Sequence, residues 1–455
     1  MVRSPNAAQR ELYTPLNRRN YVLGIVNGIL FIAANRLADL GTVFPLLLLR
    51  LSGLSWMVGM GHTITMVAPV IPQVVASRLV DTAPHKMPVF RWGAVIRFIG
   101  SVGMGLCVLF AGSIGYRTAL VGLLLCFTLR LLAQGVSQQA FVHVIASSVP
   151  TTMRGSFWKW RQFGGLVVVL ILSRPLVSYM LSADCSLEFP LNYGVLMLIA
   201  AVGMGLGWLA FAQAREPESK PAGHLLTMRQ HLVRGMRLLR RDRYYRRLMR
   251  IRILLGASGA IRPFFIAFAV QSWGFHDEVA AWFIAVQIVA QMFGCWVAGY
   301  ISDKLGNQRL LILAAATIMG TAACAAFGAY LTPPGAMQLF GYQVQYRMVV
   351  LMGCFIGSGL FLADLGPGYT NYLMDIAPSR KLPSYTAFAS LFIVPIAIAP
   401  LAYGWLVYAV SYLSIFLISV VLAVVALFLA LRMGEPRDDI PDDDLDETSS
   451  EEPAS

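Results

Sequence analysis

Apolar runs of roughly 18 residues or more recur from one end of this chain to the other, and that length suits a helix crossing a bilayer. Twelve are discernible, near 20–46, 54–77, 92–113, 118–147, 156–181, 190–213, 250–273, 279–300, 309–331, 347–376, 384–409 and 411–432. Backbone polar groups in hydrocarbon must be satisfied within the segment, so each run is expected to be helical. Composition agrees. Of 455 residues, 57% are hydrophobic and 13% charged, about half the charged share of a soluble domain. The expected fold class is all-α integral membrane, with twelve transmembrane helices.

Charge sets the orientation. With the amino terminus in the cytoplasm, 28 of the 36 Lys and Arg fall on the cytoplasmic side, five lie within spans, and only Arg50, Arg117 and Arg347 fall outside. The reverse orientation breaks the positive-inside rule. The chain is therefore expected in a plasma membrane, the inner membrane if bacterial, with both termini cytoplasmic. The formal charge of +13 hides an acidic tail, 434–455, with ten acids and one Arg. That tail has too little apolar content to fold alone and reads as a solvated, disordered extension. The basic residues sit between apolar runs, so lipid headgroups explain them better than nucleic acid. Five of the six Cys fall in apolar segments, and no Cys/His metal spacing is present, so neither a disulfide framework nor a metal site is expected. The first apolar run is followed by no small-residue cleavage site and is expected to be an uncleaved span.

The spans divide six and six, and the two sixes look related. Val75, Ala76 and Asp81 align with Val297, Ala298 and Asp303 at an offset of 222. Pro175 falls on Pro400 at offset 225, and Pro150 on Pro378 at offset 228. Three landmarks in one order suggest a duplicated six-helix unit, with a binding site near the midplane between pseudo-symmetric bundles. The expected organisation is a cytoplasmic amino terminus at 1–19, a six-helix bundle at 20–213, a basic cytoplasmic linker at 214–249, a second bundle at 250–433 and the tail. In the linker, apolar residues at helical spacing alternate with Arg. A basic amphipathic helix on the membrane surface and a solvated connector both fit.

The stretch GYISDKLGNQR at 299–309 resembles the signature loop of the major facilitator superfamily. PTTMRG at 150–155 resembles a further common feature of that family, and the general likeness runs from about 20 to 433. The resemblance implies a latch at the cytoplasmic face. Asp303 would face the start of span 5 and its positive helix end, with Arg154 or Arg161 as partner. Gly299 would let helices approach closely, and Gly306 and Arg309 belong to the same loop. Asp81, opposite Arg380 and Lys381, would be the counterpart, although Thr82, Ala83 and Pro84 replace the Lys, Leu and Gly of the second copy. A solvated loop charge is the alternative for both Asp residues.

The resemblance also implies that spans 1, 4, 7 and 10 line a central cavity. Each carries an ionisable group within the membrane: Arg36 and Asp39, Arg130, Arg262, and Asp364. Such groups are costly in lipid and need a partner or water. At about 1.5 Å per residue, Arg36, Arg130 and Arg262 lie roughly 15 to 20 Å from a face. Three Arg against two Asp make the cavity electropositive, which favours a carboxylate or phosphate. Arg36 and Asp39, three apart, could instead only neutralise each other. Gln134 and Gln138 share a face of span 4, and Tyr369 and Asn371 add polar groups to span 10. Gly366, Pro367 and Gly368 are expected to break or kink span 10. Asp39, Asp364 and His143 are candidate proton carriers. His143 and His62 also suit packing roles. Outside this set, Arg97 and Arg174 are the remaining charges well inside spans.

No phosphate-binding GxxxxGK[ST] loop occurs, so ATP-driven transport is not expected, nor is an enzyme. The leading reading is a secondary transporter, without cofactor and monomeric. It moves a small organic, anionic or zwitterionic solute by alternating access with a coupling ion, expected to be a proton. A proton-antiporting drug or metabolite exporter, and a transporter-like sensor or scaffold without flux, stay open beside it.

Overall fold

The computed structural model describes residues 15–70, 72, 85–149, 154–216, 236, 239–240, 242–331, 335–339, 342–377, 385, 388–389 and 393–434. Ten helices among these are long and apolar enough to cross a membrane. They correspond to every expected span except 2 and 11, whose described helices are the shorter Ser55–Val67 and Ile393–Ala409. The full crossings are span 3 at Met87–Leu109, span 4 at Tyr116–Ser148, span 6 at Leu191–Ala212, span 8 at Val279–Leu305, span 9 at Asn307–Leu331, span 10 at Tyr346–Ile376 and span 12 at Tyr412–Leu431. Span 5 runs as Arg154–Val168, a π-helical turn at Val169–Ser173, and Arg174–Met180. A β-hairpin, Ala336–Leu339 with Tyr342–Gln345, joins spans 9 and 10, where the all-helical expectation has no strands.

Spans 1 and 7 are each broken part-way along their length, although span 1 reads as one run. Span 1 consists of Pro15–Leu37 and Val43–Ser52, and span 7 of Arg243–Gly259 and Arg262–Trp273. The first halves end at Leu37 and Gly259, 222 residues apart, the same offset that aligns Asp81 with Asp303. The breaks therefore belong to the repeated unit. A proline lies just beyond each. Pro263 has no amide hydrogen to give the Gly259 carbonyl, and the Arg262 Nε donates to that oxygen instead, at 3.0 Å. In span 1 the Asp39 carboxylate gathers the loosened turn. It accepts from the Gly41 amide at 2.9 Å and the Thr42 hydroxyl at 3.0 Å.

Span 10 behaves in the opposite way. The Gly366–Pro367–Gly368 step is expected to break or kink it, and the helix is not broken there but runs from Tyr346 to Ile376. One proline removes a single helical hydrogen bond, and spans 8 and 9 both pack along this helix.

The bundles meet at one end only, among the described residues. Let the basic face be the one carrying the Lys- and Arg-rich loops. Contacts between bundles lie toward the opposite face. Arg50 bonds Asp277 at 2.9 and 3.1 Å, Tyr193 donates to Asp277 at 2.9 Å, and Arg174 stacks on Trp282 at 4.0 Å. Deeper in, Thr63 of span 2 donates to the Ala397 carbonyl of span 11 at 2.7 Å. Gly59 and Gly404 permit that crossing. A side-chain carbon at Gly59 would strike the Pro400 carbonyl, and one at Gly404 would come 2.7 Å from Trp56 Cα. The buried apolar core follows the same division. One cluster runs through the first bundle and the half of the second bundle away from the basic face. The remaining half of the second bundle, around Tyr245, Leu311, Phe361 and Ala423, forms a separate cluster.

Candidate solute-binding site

The paired breaks bring charge to the middle of the bundle interface. Arg36 Nη1 meets Asp39 Oδ1 at 2.7 Å, and the two side chains are only 17% and 6% exposed. Arg262, on the second bundle, interacts electrostatically with Asp39 and with His62 of span 2, and stands 5.7 Å from the Phe361 ring centroid. Neither nitrogen of His62 has a hydrogen-bond partner, so the packing role expected of it lacks a polar anchor. Asp39 has its hydrogen bonds within its own bundle. Arg262 has a backbone carbonyl and no carboxylate within ion-pair distance among the described residues. A cation held this way, where helix ends leave backbone groups free, can receive a carboxylate or phosphate oxygen.

The other sequence candidates sort by position. Arg130 is buried and turned into its own bundle, where Nη2 donates to Asn35 at 3.0 Å and lies 3.3 Å from Met204 Sδ. Gln134 and Gln138 line a small cavity within that bundle, together with Arg97 and Arg161. Arg97 is a residue to which the sequence alone assigns no role. Its one available signal is a charge inside span 3 with no partner in sequence. His143 is half-buried on span 4. In the second bundle Asp364 is buried, and its Oδ1 has no partner among the described residues. Gln291 of span 8 likewise has a buried, unpartnered oxygen. Tyr369 lies under Arg252 at 4.0 Å. Asn371 is engaged elsewhere and donates to Ser302 Oγ at 3.1 Å.

That bond belongs to a network around the signature loop. Ser302 donates to Asn307 Oδ1 at 2.7 Å, and Asn307 donates to Asp375 at 2.6 Å. The turn between spans 8 and 9 is thus tied to span 10, with Gly306 at φ 92°, a backbone shape that favours glycine. Gly299 is expected at a close helix approach; among the described residues nothing lies within 4 Å of a carbon built on it. Arg309 is exposed. Arg161 donates to Asn27 Oδ1 and the Gly24 carbonyl of its own bundle, at 3.0 and 3.2 Å. The expected partners Asp81, Arg380 and Lys381 lie outside the described residues, as do the side chains of Arg154 and Asp303.

The sequence profile described as Major Facilitator Superfamily matches residues 63–393. The chain belongs to the major facilitator superfamily. No curated protein matches its sequence. Solved structures share the fold of this superfamily member at low identity. The nucleoside transporter NupG is similar at 14% identity and TM-score 0.64, over 92% of this chain and 99% of that one. A bacterial homologue of the iron transporter ferroportin in an inward-facing state gives 14% and 0.66, over 91% and 98%. The D-xylose-proton symporter gives 14% and 0.64, over 93% and 99%. A membership of this kind makes the chain a multi-pass membrane transporter for small solutes and not an enzyme.

Proposed function

We propose that this superfamily member is a proton-coupled secondary transporter that moves a small organic anion, or a zwitterion bound by its acid group, across the cytoplasmic membrane. The observation that carries the reading is Arg262. It stands beside a helix break part-way along span 7, at the bundle interface, with no carboxylate of its own among the described residues. A guanidinium in that setting stabilises an acid group far better than it would in water, because solvent competes less. Arg36 adds a second positive group whose charge is largely balanced by Asp39.

With the basic face taken as cytoplasmic, this conformer is inward-facing. Among the described residues the contacts between bundles lie in the outer half and the apolar core splits on the inner side, which supports that reading. Rocking of the bundles about the central breaks then exposes Arg262 to each side in turn. Asp364 is the proposed proton carrier, supported by its burial and its unpartnered oxygen. Proton uptake there neutralises a charge that has no counter-ion among the described residues. The latch of Asp303 with Arg154 or Arg161 would close the cytoplasmic side in the other state, and Arg161 is free of carboxylates among the described residues, as an open inner side requires.

The test is a metabolite screen by thermal stabilisation of the purified protein, carboxylates and phosphate esters first. Stabilisation by such acids, larger than acetate or inorganic phosphate, that disappears in Arg262→Gln is the expected result. A response to cationic lipophiles alone refutes the anionic reading.

A further inference from the structure

The first bundle holds a second electropositive space, apart from the bundle interface. A cavity of about 60 Å³, enough for more than one water, is walled by spans 1, 3, 4, 5 and 6. Arg97 and Arg161 both reach it, Gln134 and Gln138 supply amide groups, and Asn27 is already engaged, accepting from Arg161 and donating to the Gly207 carbonyl at 2.8 Å. Arg97 is only 5% exposed. Among the described residues it makes one hydrogen bond, from Nη1 to Ser137 Oγ at 3.3 Å, and its Nε has no partner. It also feels Arg130 and Arg161 electrostatically. No carboxylate pairs with any of the three among the described residues.

Stacking softens this accumulation of charge without cancelling it. The Arg97 guanidinium sits 4.3 Å from the Trp208 ring centroid, and that of Arg161 4.7 Å from Phe141. A desolvated stack of this kind offsets only part of what burying an ion costs. A guanidinium offers five donors, and most of those on Arg97 are unused. Gln138 is exposed and marks the way in.

We propose that this pocket binds a small oxyanion, a carboxylate or phosphate group, between Arg97 and Arg161, separately from the solute path at Arg262. The group accepts from both guanidinium forks and from the amides of Gln134 and Gln138. Its size limits it to an acid group and not a whole metabolite. Bound there, it offsets part of that positive charge and ties span 3 to span 5.

The experiment uses full-length protein in neutral detergent, melted with inorganic phosphate or acetate against chloride at matched ionic strength. A second arm adds phosphatidylglycerol or phosphatidylcholine. Phosphate or acetate should raise the melting temperature of the wild type. Arg97→Gln and Arg161→Gln should each weaken apparent affinity about ten-fold or more, which corresponds to about 1.4 kcal/mol. Arg262→Gln should leave the response intact, and Gln138→Leu at the lip gives a milder loss should an Arg variant fail to fold. Stabilisation by phosphatidylglycerol alone, dependent on Arg97, assigns the site to a lipid phosphate and not a free ion. The proposal is overturned if the wild type responds to none of these probes. It is also overturned if folded Arg97 and Arg161 variants respond fully, or if Arg262→Gln removes the response. The last result would move the anion to the central site, and loss of the central reading alone would leave this pocket untouched.

Discussion

Replacing Gly59 by alanine should push the protein out of the conformer described here. The added methyl group meets the Pro400 carbonyl of the other bundle. Backbone cannot rotate away as a long side chain can, and Gly404 already stands against Trp56 across the same crossing. Forcing a methylene into packed structure costs about 1–3 kcal/mol, which is roughly 5- to 160-fold in an equilibrium. A state favoured ten to one would fall to about two to one at the lower end, and become the minor state at the upper end. In the proposed rocking motion the crossing parts when the face away from the basic loops opens, so the cost falls on the conformer described here. Spin labels at Leu54 and Glu278, in a cysteine-free background, report the outer separation of the bundles by double electron–electron resonance. The expected result is a longer, broader distance distribution in Gly59→Ala. An unchanged distribution in a normally folded variant refutes the argument that the Gly59 crossing holds the outer side shut.

Arg50→Ala should open the same side more weakly. The substitution removes both hydrogen bonds that the guanidinium donates to Asp277. The pair is partly exposed, with side chains 48% and 13% accessible, so solvent limits its worth to about 0.2–1 kcal/mol. Asp277→Asn also weakens the Tyr193 bond and should have the larger effect on that label distance. Asp39→Ala removes the acceptor for Arg36, Gly41 and Thr42 and should destabilise the protein by about 1–3 kcal/mol, seen as a lower melting temperature. Asp364→Asn should abolish flux driven by a pH gradient in proteoliposomes while keeping solute exchange, and unchanged gradient-driven flux would remove Asp364 from the coupling role.

Much of the architecture is legible in the sequence because lipid allows few solutions. Apolar runs become helices when the backbone has no other partner, and the repeat offset reappears in the ends of the helices at Leu37 and Gly259. What the sequence conceals is decided by contacts between distant segments. Span 1 reads as unbroken because its hydrophobicity continues through Gly41 and Thr42. Its break is made by Asp39 bonding locally, a choice that composition does not record. Span 10 carries a strong breaking signal and remains helical, with spans 8 and 9 packed along it. The Gly59 crossing has no local mark, as its partner, Pro400, lies on the other bundle. Charges within spans are visible in the sequence, but not which way they point. Arg130 and Arg161 turn inward to their own bundle, and Arg97 joins the same cavity wall as Arg161.

The central claim is that an acid group crosses the membrane bound to Arg262. Currents on solid-supported membranes loaded with proteoliposomes test it most directly, with a panel of organic acids, amines and neutral solutes applied under a pH gradient. The account predicts transient currents for one class of organic acid, absent in Arg262→Gln. Currents evoked only by amines or neutral solutes, or organic-acid currents that survive Arg262→Gln undiminished, would contradict it.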